Sequence, residues 1–478
     1  MRGCYTERTM ADVRDRPATA RVPVPPAPGL LSGQRRSLTI GLVFLVTLVA
    51  FEGLAVATAM PVVRDDLGGI GLYGLVFSAF MLTNLVGITF AGQQSDHGSP
   101  AVAFALGLAA FGAGLVVSGA APTMAVVVAG RAVQGFGAGC ISTVAYVVIA
   151  RAYDEALRPR MFAVMSTAWV LPGVIGPALA GAVAEHLSWR LVFLGLLPLL
   201  PVNMLMTFPA IRRMGPPPSA EAVSRLRPAL QLSAGAGMVV GGLALRFLPA
   251  AVALVIAGTA ISLPALRRLM PEGTLRAAPG LPAAVACIGL FSAAFFGAEA
   301  FLPLTLNEVR NQSPTVAGLA LTAATLTWTT GAWVNARRAK EWSGRFSAVS
   351  GVILVATGIA VSGSTAYSGT PVAAAAVGWG IGGLGMGIAW QTMTLTILAE
   401  ADEKTVGASS AALNLSSVLG IAVGTGIGGA VVGAGDAAGW DTAVSAGTIF
   451  AIMFGVALVA VAAAARLPGR ALAEARRI

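Results

Sequence analysis

The sequence predicts an all-α integral membrane protein: two six-helix bundles related by an internal repeat, with two additional helices between them. Composition is the first observation. Of 478 residues 56% are hydrophobic and only 11% charged, whereas about a quarter of a soluble domain is charged. The second is a series of apolar segments of bilayer-spanning length. The third is that the stretch Gly130–Gly181 returns 248 residues later: Gly130, Gly135, Gly137 and Gly139 fall on Gly378, Gly383, Gly385 and Gly387. Asp154-Glu155 fall on Asp402-Glu403, and Gly176, Gly181, Ala182 and Val183 on Gly424, Gly429, Ala430 and Val431. A repeat this long means two homologous halves rather than a solenoid. In a membrane protein such halves usually make a transporter with its binding site between them.

In chain order, residues 1–37 carry seven arginines and the Pro-rich run Val22–Pro28, which reads as a disordered cytoplasmic tail. No apolar core near the start makes a signal peptide. The first bundle occupies 38–210, with spans near 38–61, 72–92, 101–120, 123–150, 161–184 and 190–210. A hydrophilic linker, 211–228, holds Pro216-Pro217-Pro218, and two weaker spans follow within 229–266. After a loop at 267–280 the second bundle runs over 281–466, with spans near 281–306, 316–335, 346–366, 371–399, 407–433 and 443–465, and a tail at 467–478.

Charge tests the number of spans, because cytoplasmic loops are enriched in Lys and Arg. With fourteen spans and both termini inside, 26 of the 31 basic residues fall in cytoplasmic segments. Only Arg64, Arg190, Arg246 and Arg310 fall outside, and Arg131 lies within a span. A single span in 229–266 would move Arg337, Arg338, Lys340 and Arg345 outside, which disfavours thirteen. Twelve keeps the parity if 229–266 lies along the interface; fourteen is favoured.

The net charge of +10 is spread over these short loops and forms no nucleic-acid patch. Cys4, Cys140 and Cys287 are scattered, without disulfide or metal spacing. A membrane enzyme would need a catalytic cluster at an interface, and two isolated histidines, His97 and His186, do not supply one. No cofactor is expected.

Arg131 carries the most physical weight. A central arginine costs about 2.5–3.5 kcal/mol on translocon scales, so it should face a cavity or a partner. At 1.5 Å per residue, Arg131 lies about 12 Å below the outer surface, and so does Glu52 in the first span. Equal depth makes them a candidate pair, either coupling protons or only fixing helix packing. Glu299, four residues before Pro303, is a further protonatable candidate or a partner for a cationic substrate; a solvated carboxyl near the interface is the plainer reading. Trp379 and Trp390 are eleven residues apart and can share one helix face, where flat rings stack with cations. Interfacial tryptophans are the commoner case. Trp169, Gln134 and Gln391 are weaker cavity candidates. In Gly176-Pro177 the proline removes a backbone donor and bends the helix, while glycines let a neighbour approach. Such a helix could seal one side of a cavity or simply pack.

Several of these residues sit in motifs. Arg131-Ala-Val-Gln134-Gly135-x-Gly137 resembles the fourth-helix signature of the major facilitator superfamily, and Gly176-Pro177-Ala-Leu-Ala180-Gly181 its fifth-helix antiporter motif. Ser188-Trp189-Arg190-Leu-Val-Phe193 is similar to its entry into helix six. Gly92-Gln-Gln-Ser-Asp96-His-Gly98 sits where the family's loop between helices two and three belongs, with His97, Ser99 and Pro100 in place of basic residues. The resemblance covers about 38–466 and points to the 14-span drug:proton antiporters, although Phe51-Glu52 replaces the common Leu-Asp. It implies a monomeric exporter of hydrophobic or cationic small molecules in a bacterial inner membrane, driven by the proton gradient and bathed in lipid. Glu52, Arg131 and Glu299 would couple protons. Gln134, Trp169, Trp379, Trp390 and Gln391 would line the cavity. Gly92, Asp96, Gly173, Gly176, Pro177 and Gly181 would form gating motifs. A proton-coupled uptake symporter and a transport-inactive sensor are the alternatives.

Overall fold

The computed structural model describes residues 29–469 except 34, 155–156, 216–225, 246, 339–340 and 401–405. Most of the N-terminal tail, the Pro216-Pro217-Pro218 run, Glu155, Asp402-Glu403 and residues 470–478 lie outside the described residues.

Among the described residues fourteen long helical units follow one another. The first bundle holds α1 (Arg35–Leu67), α2 (Tyr73–His97), α3 (Pro100–Gly119) and α4 (Met124–Ala152). It continues with α5, in two pieces (Arg158–Thr167 and Val170–His186), and α6, also in two (Arg190–Leu194 and Leu199–Ile211). The pair between the bundles is α7 (Leu226–Leu243) and α8 (Leu248–Leu269). The second bundle holds α9 (Leu281–Glu299), α10 (Pro314–Arg338), α11 (Gly344–Gly363), α12 (Ala373–Glu400), α13 (Val406–Ala438) and α14 (Thr442–Ala464). Among the described residues twelve helices are long and apolar enough to cross a membrane. The two helices outside that group are α7, interrupted by Arg227 and Gln231, and α10, rich in threonine.

The helix starts follow from local chemistry. Ser99, Thr123, Ser343 and Asp441 each accept a backbone N–H in the first turn of α3, α4, α11 and α14, satisfying donors the helix itself leaves open. Beyond α9, Pro303 removes a donor, and the chain passes through a short turn into a π-helical segment, Thr305–Val309.

The repeated glycines have a common physical cause. A Cβ on Gly114 would stand 2.6 Å from the Gly130 carbonyl oxygen, and one on Gly358 would stand 2.6 Å from that of Gly378. Gly137 meets the Gly107 carbonyl on α3 as Gly385 meets that of Gly351 on α11. Gly135 and Gly139 face α2, while Gly383 and Gly387 face α10. Each bundle thus wedges its fourth helix between two neighbours at backbone contact, which only a residue without a side chain permits. The inserted pair leans on the seam between the bundles. Ser233 on α7 donates to the Leu82 carbonyl at 2.8 Å, Val240 packs on Gly426 of α13, and α8 packs on α7 through Gly235 and Gly258.

The two bundles meet at one end. Tyr73 Oη donates to the Ala300 carbonyl at 3.3 Å, Ser78 Oγ to that of Ala422 at 2.8 Å, and Thr322 Oγ1 to that of Val174 at 3.2 Å. Glu185 accepts from the Thr315 hydroxyl at 2.7 Å, and Arg64 pairs with Glu308. These contacts belong to the arginine-poor ends of the helices. At the arginine-rich ends polar contacts stay within a bundle: Arg35 pairs with Asp154 at 2.8 Å, Arg151 donates to the Ser95 carbonyl, and Arg345 to that of Leu467. Among the described residues no hydrogen bond or ion pair joins the bundles there.

Candidate functional site

In the first bundle, α1 and α4 bring Glu52, Arg131 and Gln134 together, all three with at most 2% of their surface exposed. Arg131 pairs with Glu52 Oε1 through one terminal nitrogen, which also donates to Gln134 Oε1 at 3.2 Å. Its Nε donates to the Val76 carbonyl at 3.3 Å, and its guanidinium lies 4.1 Å above the Phe80 ring. Gln134 Nε2 donates to Glu52 Oε1 at 3.1 Å. Arg131 and Gln134 are three residues apart, so one helix face carries both. The second carboxylate oxygen, Glu52 Oε2, is buried without a partner.

This arrangement holds a charge and leaves it incompletely satisfied. A buried ion pair offsets its desolvation only when geometry and further hydrogen bonds complete it. Here Oε1 takes every donor and Oε2 takes none, so a proton or a moving donor at Oε2 would meet an open acceptor.

The other end of the candidate set lies in the second bundle. Trp379 is 1% exposed and stacks on Phe295 with ring centroids 4.6 Å apart. Trp390, half-buried, meets Phe291 edge-on and approaches Trp328 at 6.0 Å. One face of α12 therefore carries both tryptophans, against α9 and α10. Trp379 is enclosed by this packing and does not line an open space; Trp390 and Trp328 are its less buried members. Gln391 and Trp169 are exposed, Trp169 at the break between the two pieces of α5. Glu299, at the last turn of α9, is half-buried and has no hydrogen-bond or ion-pair partner among the described residues. The structure does not bring it into contact with Glu52.

The gating candidates divide in the same way. A Cβ on Gly181 would stand 2.5 Å from the Pro314 carbonyl oxygen; Gly173 abuts Thr325; and the Pro177 carbonyl fills the space beside Gly318. All three join α5 to α10 across the seam. Gly176 is looser, its Cβ position 3.4 Å from Phe51 of α1. Gly92 has open space beside it, and Asp96 is exposed and unpaired among the described residues. Gly181→Ala should therefore destabilise the protein by about 1–3 kcal/mol through overpacking, and Gly176→Ala by less than about 0.5 kcal/mol. Thermal unfolding in detergent measures both; equal losses would show that the seam is not close-packed at Gly181.

Sequence reasoning missed Phe80, the Phe291–Phe295–Phe296–Trp328 group and the Arg64–Glu308 pair. The pairing of Phe291 and Phe295, four residues apart on the helix that opens the second half, was the available signal.

Comparison with known proteins places this geometry in context. Residues 42–425 match the model of the Major Facilitator Superfamily. A probable multidrug-efflux transporter of Mycobacterium tuberculosis is 27% identical over 407 residues, covering 81% of this chain and 85% of the relative. The multidrug transporter protein MdtP of Bacillus subtilis is 30% identical over 160 residues, 34% of this chain and 30% of its own. Among solved structures, a bacterial homologue of the human lysosomal transporter Spinster, inward-facing and unoccupied, aligns with a TM-score of 0.62 at 15% identity, covering 93% of this chain and 98% of that one. The human organic anion transporter MFSD10 aligns at 0.61 and 15% identity, over 91% and 100%. At this identity the two structures speak for the fold alone.

Proposed function

The chain belongs to the Major Facilitator Superfamily, a multi-pass membrane transporter and not an enzyme, and from that premise we propose a proton-coupled antiporter that exports hydrophobic or cationic small molecules by alternating access. The efflux names of the relatives support export. The observation that carries proton coupling is the buried Glu52 carboxylate, held by Arg131 and Gln134 through one oxygen only.

In this reading the arginine-poor end faces outward, following the bias of basic residues to the cytoplasm. The contacts from Arg64–Glu308 to Gly181–Pro314 then close the outside, while among the described residues no hydrogen bond or ion pair ties the bundles together at the arginine-rich ends towards the cytoplasm. Glu52 paired with Arg131 is the deprotonated state, ready for substrate from inside. Turning the seam outward gives Glu52 access to external water. Withdrawal of Arg131 then favours the acid, because a nearby cation favours the anion. The aromatic group around Trp328 and Trp390 supplies flat faces for an apolar or cationic ring, with Glu299 an unpaired carboxyl among the described residues on the adjoining helix.

Purified protein in liposomes with an imposed pH gradient and a fluorescent lipophilic cation tests this. The expected result is cation movement against protons, with accumulation in the more acidic compartment. Accumulation in the more alkaline compartment would make the protein a symporter, and movement indifferent to pH would remove proton coupling.

A further inference from the structure

A hollow remains that this reading does not use. It lies where α8 ends and the chain turns back towards α9, has a volume of about 520 Å³, and is lined by Arg267, Met270, Glu272, Thr274, Leu275 and Arg276 among others. At ~30 Å³ per molecule of liquid water, that is room for far more than one ordered water. We propose that it is a binding site for an aminophospholipid headgroup of the phosphoethanolamine class, the phosphate taken by Arg267 and Arg276 and the ammonium by Glu272.

Three observations carry this. The first is that the hollow's wall is built without a ligand. Thr274 Oγ1 donates to the Pro271 carbonyl at 2.7 Å, and the Ala278 N–H to that of Gly273 at 3.1 Å. Gly273 and Ala277 hold positive φ of 85° and 46°. Beyond α14, the Arg466 guanidinium donates to the Arg276 and Ala277 carbonyls, the latter at 3.2 Å, and pins the loop from behind. A residue other than glycine or asparagine at positive φ is costly, so Ala277 marks a conformation that its surroundings impose.

The second is charge. Arg267, Glu272 and Arg276 are exposed and line one hollow, yet none of them forms an ion pair among the described residues. Two cations and an anion left apart suit a zwitterion better than a simple anion. A phosphate alone would leave Glu272 facing like charge, whereas phosphoethanolamine brings an ammonium to it, with three N–H donors.

The third is what stands above the hollow. Of the helices that qualify as spans, α8 is the least enclosed. Its exposed Val252 and Ile256 lie on the same side as Arg267, which follows Ile256 by eleven residues, three turns and only ~20° off register. That distance is about 16 Å along the helix, close to one leaflet of a ~30 Å hydrocarbon core. An acyl chain against Val252 and Ile256 thus ends in a headgroup at Arg267, and Leu266, Met270 and Leu275 give the glycerol region apolar walls.

The experiment is native mass spectrometry of the full-length protein, delipidated and then offered equal amounts of dioleoyl phosphatidylethanolamine, phosphatidylglycerol and phosphatidylcholine. Phosphatidylethanolamine should be retained about threefold over each of the others, the scale of one exposed ion pair. Glu272→Gln, which removes no packing, should turn the preference towards phosphatidylglycerol. Arg267→Ala combined with Arg276→Ala should lower retention of phosphatidylethanolamine to the level of the other two lipids. Equal retention of the three lipids by the unaltered protein, or an unchanged ethanolamine-to-glycerol ratio in Glu272→Gln, overturns the site. Should the double arginine variant fail to fold, the Glu272→Gln ratio alone decides.

Discussion

Arg131→Ala should cost the folded protein about 3–5 kcal/mol, the range for removing one member of a buried ion pair. The substitution leaves the Glu52 carboxylate with only the Gln134 amide as donor, and the Val76 carbonyl without its partner. It also leaves a void against Phe80. Unfolding of the purified variant in detergent measures the loss, and pH supplies the control. At low pH Glu52 escapes by taking a proton, so the variant should recover part of its deficit at pH 5 relative to pH 8. Adding Glu52→Gln should recover it at both, because the stranded charge is gone. A variant as stable as the parent at pH 8 would mean that Glu52 is already neutral beside Arg131, and the pair could not then be the resting state of a proton carrier.

How far such a site can be read from sequence depends on what each residue is unusual against. Arg131 and Glu52 stand alone in apolar spans, where a charge is rare, and equal depth suffices to suggest their pairing. The glycines of α4 and α12 are legible as a repeat because backbone contact admits no other residue, so both halves keep them. Arg64 and Glu308 were invisible as a pair: charges at helix ends are common, and only the folded seam sets one bundle's end beside the other's. The aromatic group was half legible. Tryptophans draw attention by rarity, but phenylalanines serve equally on lipid-facing surfaces, and nothing in spacing distinguishes Trp379, enclosed by Phe295, from Trp390 at the less buried edge. Within the glycine-proline motif the sequence names Gly173, Gly176 and Gly181 alike, while only Gly173 and Gly181 make close approaches to α10. Which face of α5 meets α10 is a tertiary fact. The number of spans has the same limit, because α7 and α10 are helices whose polar residues keep their hydropathy low.

Glu52→Gln should abolish concentrative transport while leaving the substrate able to bind and to move downhill. The amide is the nearest neutral copy of the protonated acid: it keeps the volume, keeps an oxygen for Arg131 and Gln134, and cannot exchange a proton. One proton per cycle across a difference of one pH unit supplies about 1.36 kcal/mol, which sustains roughly a tenfold substrate gradient. In liposomes with that gradient imposed, the parent should approach tenfold accumulation of the fluorescent cation, and Glu52→Gln should stop near equality. Counterflow exchange, which needs alternating access but no net proton movement, separates loss of coupling from loss of the protein and should persist. Arg131 is then left as a cation facing a neutral amide, so some stability is lost. That loss should be smaller than in Arg131→Ala, because the guanidinium keeps the Val76 carbonyl, Gln134 and the Phe80 ring. If Glu52→Gln still concentrates the cation with unchanged pH dependence, the proton travels on another carboxylate. Glu299, unpaired on the helix beside the aromatic group, is then the residue to neutralise next.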